Sequence, residues 1–89
     1  MKHVNIRVSG SVQGVFFRAS TKQQADFLGL KGFVKNERNG DVYIEAEGEE
    51  SQIAEFLKWC RRGPTRARVD SVEVEESGLK NFGDFDVRR

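Results

Sequence analysis

The residues of this chain best suited to chemistry lie near the N-terminus, in a stretch that reads Gly-Ser-Val-Gln-Gly-Val-Phe-Phe-Arg over residues 10–18. Gly10 and Gly14 make the stretch bendable, because glycine reaches positive φ and has no Cβ to crowd a ligand. Such a loop can gather several backbone N–H groups, which bind an anion together with the positive end of a following helix. Arg18 adds a planar fork of donors that suits phosphate or carboxylate. The residue types therefore predict a strand, an anion cradle and a helix.

The same stretch also has an ordinary structural interpretation. It is not a P-loop, which ends in Gly-Lys-Ser/Thr, and its glycine spacing does not match the dinucleotide fingerprint. Glycine turns between a strand and a helix are common, and an arginine beside one is often a solvated surface charge. The spacing alone leaves both interpretations open.

Cys60 is the only cysteine and His3 the only histidine of the chain. An internal disulfide and a Cys/His metal cluster are therefore excluded. Cys60 lies in an apolar helical stripe, which favours a buried structural thiol over a nucleophile. His3 is expected at the frayed start of the first strand. Nucleophilic mechanisms of the Ser-His-Asp or Cys-His kind are accordingly not predicted.

Length and charge limit the function further. The 89 residues are predicted to form one domain, residues 1–89, with a single modest core. The net charge of +1 produces no overall field that would attract nucleic acid or a membrane. No apolar run approaches the roughly 20 residues needed to span a bilayer, and the N-terminus lacks an apolar signal region. A cytoplasmic protein is the expectation.

The elements that would position the glycine stretch follow from hydrophobic spacing. Alternating side chains predict a strand over Val4–Val8, just before it. A helical pattern begins at Phe17, just after it, and Gly29 is typical of a helix end. Residues 32–47 are predicted to form a hairpin, with Asn39-Gly40 as a strong turn signal.

The second half of the chain predicts one helix and two strands. Apolar residues recur at i, i+3, i+4 and i+7 from Ile53, and Gly63 stops the helix that they indicate. Residues 67–76 predict a strand, in which Val69 is out of step with the apolar face and indicates a bulge or bend. Residues 85–87 predict a short final strand.

The order β-α-β-β-α-β, with this short C-terminal strand, matches the split βαβ plan. That plan is an α+β fold in which an antiparallel sheet carries two helices on one face. The alternation within the strands fits a sheet that is covered on one face and solvated on the other.

Two short motifs resemble those of the acylphosphatase family. Residues 10–18 closely resemble the motif G-x-V-Q-G-V-x-F-R, and Gly32–Asn36 resemble the second motif, G-aromatic-V-x-N. Both occur in the family's order and separation, and the resemblance runs from about residue 3 to the C-terminus. It implies a ferredoxin-like α/β sandwich.

The resemblance also implies a reaction, the hydrolysis of the carboxyl–phosphate bond of small acyl phosphates without a metal or other cofactor. Arg18 matches the family's phosphate-binding arginine, and Asn36 matches the asparagine that orients the attacking water. Glu37 departs from the pattern, because many members carry Thr or Ser directly after the asparagine, and an acidic neighbour would weaken anion binding. The loop whose N–H groups hold the phosphate is matched by Gly14, Val15, Phe16, Phe17 and Arg18.

This chemistry agrees with the residues present. An acyl phosphate is a mixed anhydride whose carboxylate leaves without strong acid help, so positioning and charge stabilisation suffice. The expected partners are a small acyl phosphate as substrate and inorganic phosphate as product and inhibitor. Nucleic acid and membrane partners are not expected, and the protein is expected to be a monomer.

The sequence is also compatible with two other functions. The same fold hosts RNA-binding modules, and Lys31–Val34 faintly resembles part of their aromatic motif, although it belongs to the second strand and not the third. The other alternative is a regulatory module that binds a small anion without turnover. An assay with an aryl acyl phosphate would separate these functions from the enzyme.

Overall fold

The chain forms one sheet of five strands with two helices packed on it. In the computed structural model, which describes residues 1–89, the strands lie in the order β4-β1-β3-β2-β5. Neither helix is both long and apolar enough to span a membrane. The predicted ferredoxin-like α+β arrangement is confirmed. Along the chain the elements are β1 (Lys2–Ser11), α1 (Phe17–Leu28), β2 (Lys31–Asn36), β3 (Val42–Gly48), α2 (Glu50–Arg62), β4 (Arg68–Ser77) and β5 (Phe85–Arg88).

The sheet is mixed, whereas the sequence predicted an antiparallel one. β1 pairs antiparallel with β3 and β4, and β2 pairs antiparallel with β3, but β5 runs parallel to β2. β4 ends at the same end of the sheet at which β2 begins. From there the chain crosses to the opposite edge, beside β2. β5 therefore runs in the same direction as β2, and it contacts α1 there.

A single hydrophobic core of 15 buried residues lies between the sheet and the helices. The core contains alternate residues of β1, such as Ile6. It also contains every third or fourth residue of α2, such as Phe56. Cys60 belongs to this core, and its burial raises the pKa of the thiol to about 12. The predicted structural role of Cys60 is confirmed.

A bulge bends the pair of strands β1 and β4, where the sequence predicted one. Their register shifts between Ser9 and Gly10. Gly10 has a φ of 133°, and a Cβ there would collide with the carbonyl oxygen of Arg68, so only glycine fits. β1 continues to Ser11, beyond its predicted end at Val8, because pairing with β4 resumes after the bulge.

The sheet face away from the helices is only partly solvated, which corrects the prediction. Residues 78–84, the crossing segment, pass over this face, and beneath them His3 has no exposed surface. His3 Nδ1 lies 2.8 Å from Glu47 Oε2 and its Nε2 lies 2.9 Å from Glu45 Oε1, while its ring stacks on Phe82. The predicted frayed position of His3 is wrong, because alternation along one strand cannot reveal a distant segment that folds over it.

Glu47 holds the crossing segment by its backbone. The main-chain N–H groups of residues 80–82 donate to its carboxylate, and Lys80 Nζ donates to Glu45. Burial opposes ionisation of Glu47, but these N–H groups and His3 together hold the pKa of its carboxyl below the usual range. The ionised carboxylate is therefore the form that fits this fold.

Candidate active site

A loop of residues 12–16 joins β1 to α1 and carries most of the predicted site. Gly14 and Phe16 have left-handed backbones, with φ of 74° and 61°. α1 begins with no capping side chain and no acidic residue in its first turn, whereas α2 begins with a capping box between Glu49 and Gln52. The first N–H groups of α1 have no partner within the helix. An anion placed there would be stabilised by these donors and by the helix dipole.

The start of α1 lines a cleft of about 480 Å³ that also reaches β2 and β5. Five of the six predicted site residues line it, and the sixth, Val15, packs against the hydrophobic core. Arg18 and Asn36, which come from separate elements, are thereby brought to one cavity. The residues that line the cleft are Val12, Gly14, Phe16, Phe17, Arg18, Ala19, Asn36, Val87 and Arg89.

Arg18 is the second residue of α1, and β5 holds its side chain. Its Nη1 donates to the main-chain oxygen of Arg88 over 3.0 Å, which uses one of the five guanidinium donors. Arg88 is anchored in turn, because its own guanidinium lies 3.9 Å from the centre of the Phe33 ring. The sequence did not predict this support from β5, since the bond joins residues 70 positions apart.

Asn36 ends β2, where it pairs with Val42 of β3. Gln13 ties the loop to the same hairpin, because its Nε2 donates to the main-chain oxygens of Glu37, at 2.6 Å, and Asp41, at 2.9 Å. These bonds tie the loop to the turn that directly follows Asn36. No role was predicted for Gln13 from the sequence, although Gln13 lies inside the first motif.

The carboxylate of Glu37 is paired outside the cleft. Its Oε1 accepts a hydrogen bond from Arg7 Nη1 over 3.3 Å. Arg7 alternates with the buried Ile6 and Val8, so it lies on the sheet face away from the helices. The negative charge that follows Asn36 in the sequence therefore interacts with a cation on the other face of the sheet.

The charged residues that line the cleft are both basic. They are Arg18 and Arg89, and no Asp or Glu lines the cavity. Arg89 follows β5 and was not predicted from the sequence. Two arginine residues and no acidic residue on the wall, together with an uncapped helix start, make this cleft suited to a phosphate-like anion.

The sequence and the fold both match known proteins. The model of the family described as Acylphosphatase matches residues 4–87. The chain is 50% identical to an acylphosphatase of Pseudomonas paraeruginosa over 82 residues, which cover 92% of this chain and 90% of the relative. Its fold is similar to the crystal structure of the acylphosphatase from Bacillus subtilis, with a TM-score of 0.98, 36% identity and full coverage of both chains. An acylphosphatase structure from Coxiella burnetii matches with a TM-score of 0.95 and 42% identity, over 98% of this chain and 92% of that one.

Proposed function

The chain belongs to the acylphosphatase family, and on this basis we propose how its cleft hydrolyses the carboxyl–phosphate bond of small acyl phosphates. Water adds to phosphorus while the bond from phosphorus to the carboxylate oxygen breaks, which yields a carboxylate, inorganic phosphate and a proton. Because the substrate is a mixed anhydride, its carboxylate leaves without a strong acid. The protein therefore supplies mainly positioning and stabilisation of the phosphoryl charge.

The phosphoryl group binds between the loop and the start of α1. N–H groups within Gly14–Arg18 surround its oxygens, and the Arg18 fork binds two of them. The left-handed backbones in the loop, the uncapped helix and the basic lining of the cleft support this assignment. The bond from Arg18 to Arg88 keeps the fork in place, so that no reorganisation is needed as charge develops in the transition state.

Asn36 orients the attacking water. Its side-chain amide offers one acceptor and two donors, which suffice to hold a water molecule but do not make a strong base. The water lies opposite the departing carboxylate, so that attack and departure are in line. Support comes from the position of Asn36 at the end of β2, on the wall of the cleft that Arg18 also lines.

One observation carries this proposal: Arg18 and Asn36 line the same cleft at an uncapped helix start. The test is hydrolysis of benzoyl phosphate, an aryl acyl phosphate, by the purified protein before and after exhaustive treatment with EDTA. We expect equal turnover, because no proposed step uses a metal. Turnover that is lost in EDTA and restored by Mg²⁺ or Zn²⁺ would contradict the mechanism. Phosphate binding without any turnover would instead indicate a regulatory anion-binding module.

The separate roles of Arg18 and Asn36 can be resolved with an Asn36→Ala variant. We expect kcat to fall by roughly 10² to 10³, the effect of losing one preorganised polar group, while competitive inhibition by phosphate stays nearly unchanged. Asn39→Ala is the matched control, because Asn39 bonds to Asp41 within the turn and does not line the cleft. Weaker phosphate inhibition with an intact kcat would make Asn36 a ligand of the anion.

We also propose that the enzyme is a cytoplasmic monomer that works without nucleic acid or membrane partners. The net charge of +1 gives little attraction to polyanions, and the single free thiol of Cys60 suits a reducing compartment. Size-exclusion chromatography with light scattering tests the monomeric state, and cell fractionation tests the cytoplasmic location.

A further inference from the structure

Phe16 is an exposed aromatic residue on the wall of the cleft. Its exposed fraction is 72%, whereas Phe17 and Phe56 are at most 2% exposed. Val87, which is 43% exposed, lines the same cleft. The Phe16 ring therefore adds little to the hydrophobic core, and it lies where it can contact a molecule in the cleft.

The backbone of Phe16 does not explain the side chain either. Phe16 has φ 61° and ψ 24°, in the left-handed region. Glycine reaches this region freely and asparagine with little cost, while a bulky side chain is unfavourable there. A residue that is unfavourable for the backbone and unused by the core is best explained by a contact with the molecule that occupies the cleft.

We propose that Phe16 selects the acyl group of the substrate, and that it favours aromatic and bulky apolar acyl groups over acetyl. The inference rests on the proposed function, which places the phosphoryl group on the loop that carries Phe16. The attached acyl group then lies within reach of the ring. An aryl group stacks on the ring face, and Val87 adds a second apolar contact.

The test compares benzoyl phosphate with acetyl phosphate as substrates of the wild type and of Phe16→Gly and Phe16→Asn. Both substitutions suit the left-handed backbone, so at least one folded variant is expected, which circular dichroism verifies. The measured quantity is the ratio of kcat/KM for benzoyl phosphate to kcat/KM for acetyl phosphate. We expect this ratio to fall about tenfold, the size of effect that one apolar contact has on substrate discrimination. The change should lie mainly in KM for benzoyl phosphate, since the contact is made before and during the reaction.

Two further variants complete the experiment. Phe16→Tyr keeps the ring and should keep the wild-type ratio. Phe27→Ala removes a phenylalanine that is 83% exposed on α1 and does not line the cleft, so it should leave the ratio unchanged. If Phe16→Gly and Phe16→Asn also leave the ratio unchanged while the wild type is active, the ring has no role in selection and the inference is overturned. A wild type that hydrolyses neither substrate would overturn the proposed function itself.

Discussion

The side-chain amide of Gln13 donates to the main-chain oxygen of Glu37 over 2.6 Å, and this bond joins the two halves of the site. Gln13 belongs to the loop that is proposed to hold the phosphate, and Glu37 directly follows Asn36. A second bond from the same nitrogen reaches the oxygen of Asp41 over 2.9 Å. One side chain therefore spans both ends of the hairpin turn and aligns the hairpin with the loop.

Replacing Gln13 by Ala should loosen this alignment. The main-chain oxygens of Glu37 and Asp41 would each lose one donor but keep a hydrogen bond within the turn, from the N–H groups of Gly40 and Glu37 respectively. Each lost bond should therefore cost about 0.5–1.5 kcal/mol of stability. We expect kcat to fall more than phosphate binding, because the loop keeps its own N–H groups while its alignment with Asn36, which the sheet holds in place, is loosened. Denaturant unfolding and steady-state kinetics measure the two effects, with the exposed Gln23→Ala on α1 as control. Normal kcat in a destabilised Gln13→Ala protein would show that the bond supports the fold alone.

Arg18→Ala should abolish most of the activity. Loss of an arginine that stabilises a transferring phosphoryl group costs on the order of 10³ or more in rate. Arg18→Lys should not restore the rate, since an ammonium group cannot reproduce the planar fork. Both variants should stay folded, and Arg61→Ala, an exposed arginine at the end of α2, serves as control. If the Arg18→Ala variant kept more than about a tenth of the wild-type turnover, the loss would be far smaller than that expected for such a group. Arg18 would then have no place in the mechanism.

Glu37 should have little effect on phosphate binding, contrary to the concern that its position in the sequence raises. Its carboxylate pairs with Arg7 on the far face of the sheet. We expect Glu37→Gln to change the inhibition constant of phosphate by no more than about twofold and stability by less than about 1 kcal/mol, as for other part-exposed pairs. Inhibition assays at low ionic strength, where screening is weakest, are the most sensitive measurement. Markedly tighter phosphate inhibition in the variant would mean that the charge acts on the cleft after all.

Glu47 should make stability depend on pH in the acid range. Its folded pKa lies below its usual value, so the stabilisation is complete above the unfolded pKa and is lost as pH falls through the folded pKa. Glu47→Gln should cost about 2–3 kcal/mol at pH 7, because a buried charged acceptor of several N–H bonds is lost. Its stability should then fall less steeply than that of the wild type from about pH 5 downwards. Chemical unfolding at several pH values measures this, and a variant with the wild-type slope would contradict the assignment.

A matched control for Glu47 is available on the surface. Glu55 pairs with Lys58 on α2, and its side chain is 60% exposed. Glu55→Gln should change stability by no more than about 0.5 kcal/mol at any pH in this range, as is usual for surface positions. The comparison separates the buried hydrogen bonds of Glu47 from the mere loss of a negative charge.

The parts of the fold whose signal is local were predictable from the sequence. The alternation in β1, the turn at Gly40 and the helical spacing around Phe56 each reflect contacts of one element with the core, so a short window contains them. Arg18 and Asn36 were identified through two motifs, and neither residue would have been assigned from its spacing alone. Their presence on one cleft is a property of the fold.

The parts that were missed depend on contacts between distant segments. The bond from Arg18 to Arg88 requires β5 to run parallel to β2, which no local pattern indicates. The burial of His3 requires the crossing segment to fold over the sheet. Glu47 likewise alternates with apolar residues of β3, a pattern that predicts a polar residue on an exposed face, whereas it binds the crossing segment. In each case the polar group is paired only in the tertiary structure.

The central claim is that water attacks phosphorus, and isotopic labelling tests it most directly. Benzoyl phosphate should be hydrolysed in H₂¹⁸O with enzyme in excess, so that each substrate molecule reacts once, and both products should be analysed by mass spectrometry. Attack by a water that Asn36 holds in line with the departing carboxylate places one ¹⁸O in the phosphate and leaves the benzoate unlabelled. Label in the benzoate would mean attack at carbon, and the roles proposed for Asn36, Arg18 and the loop would be wrong.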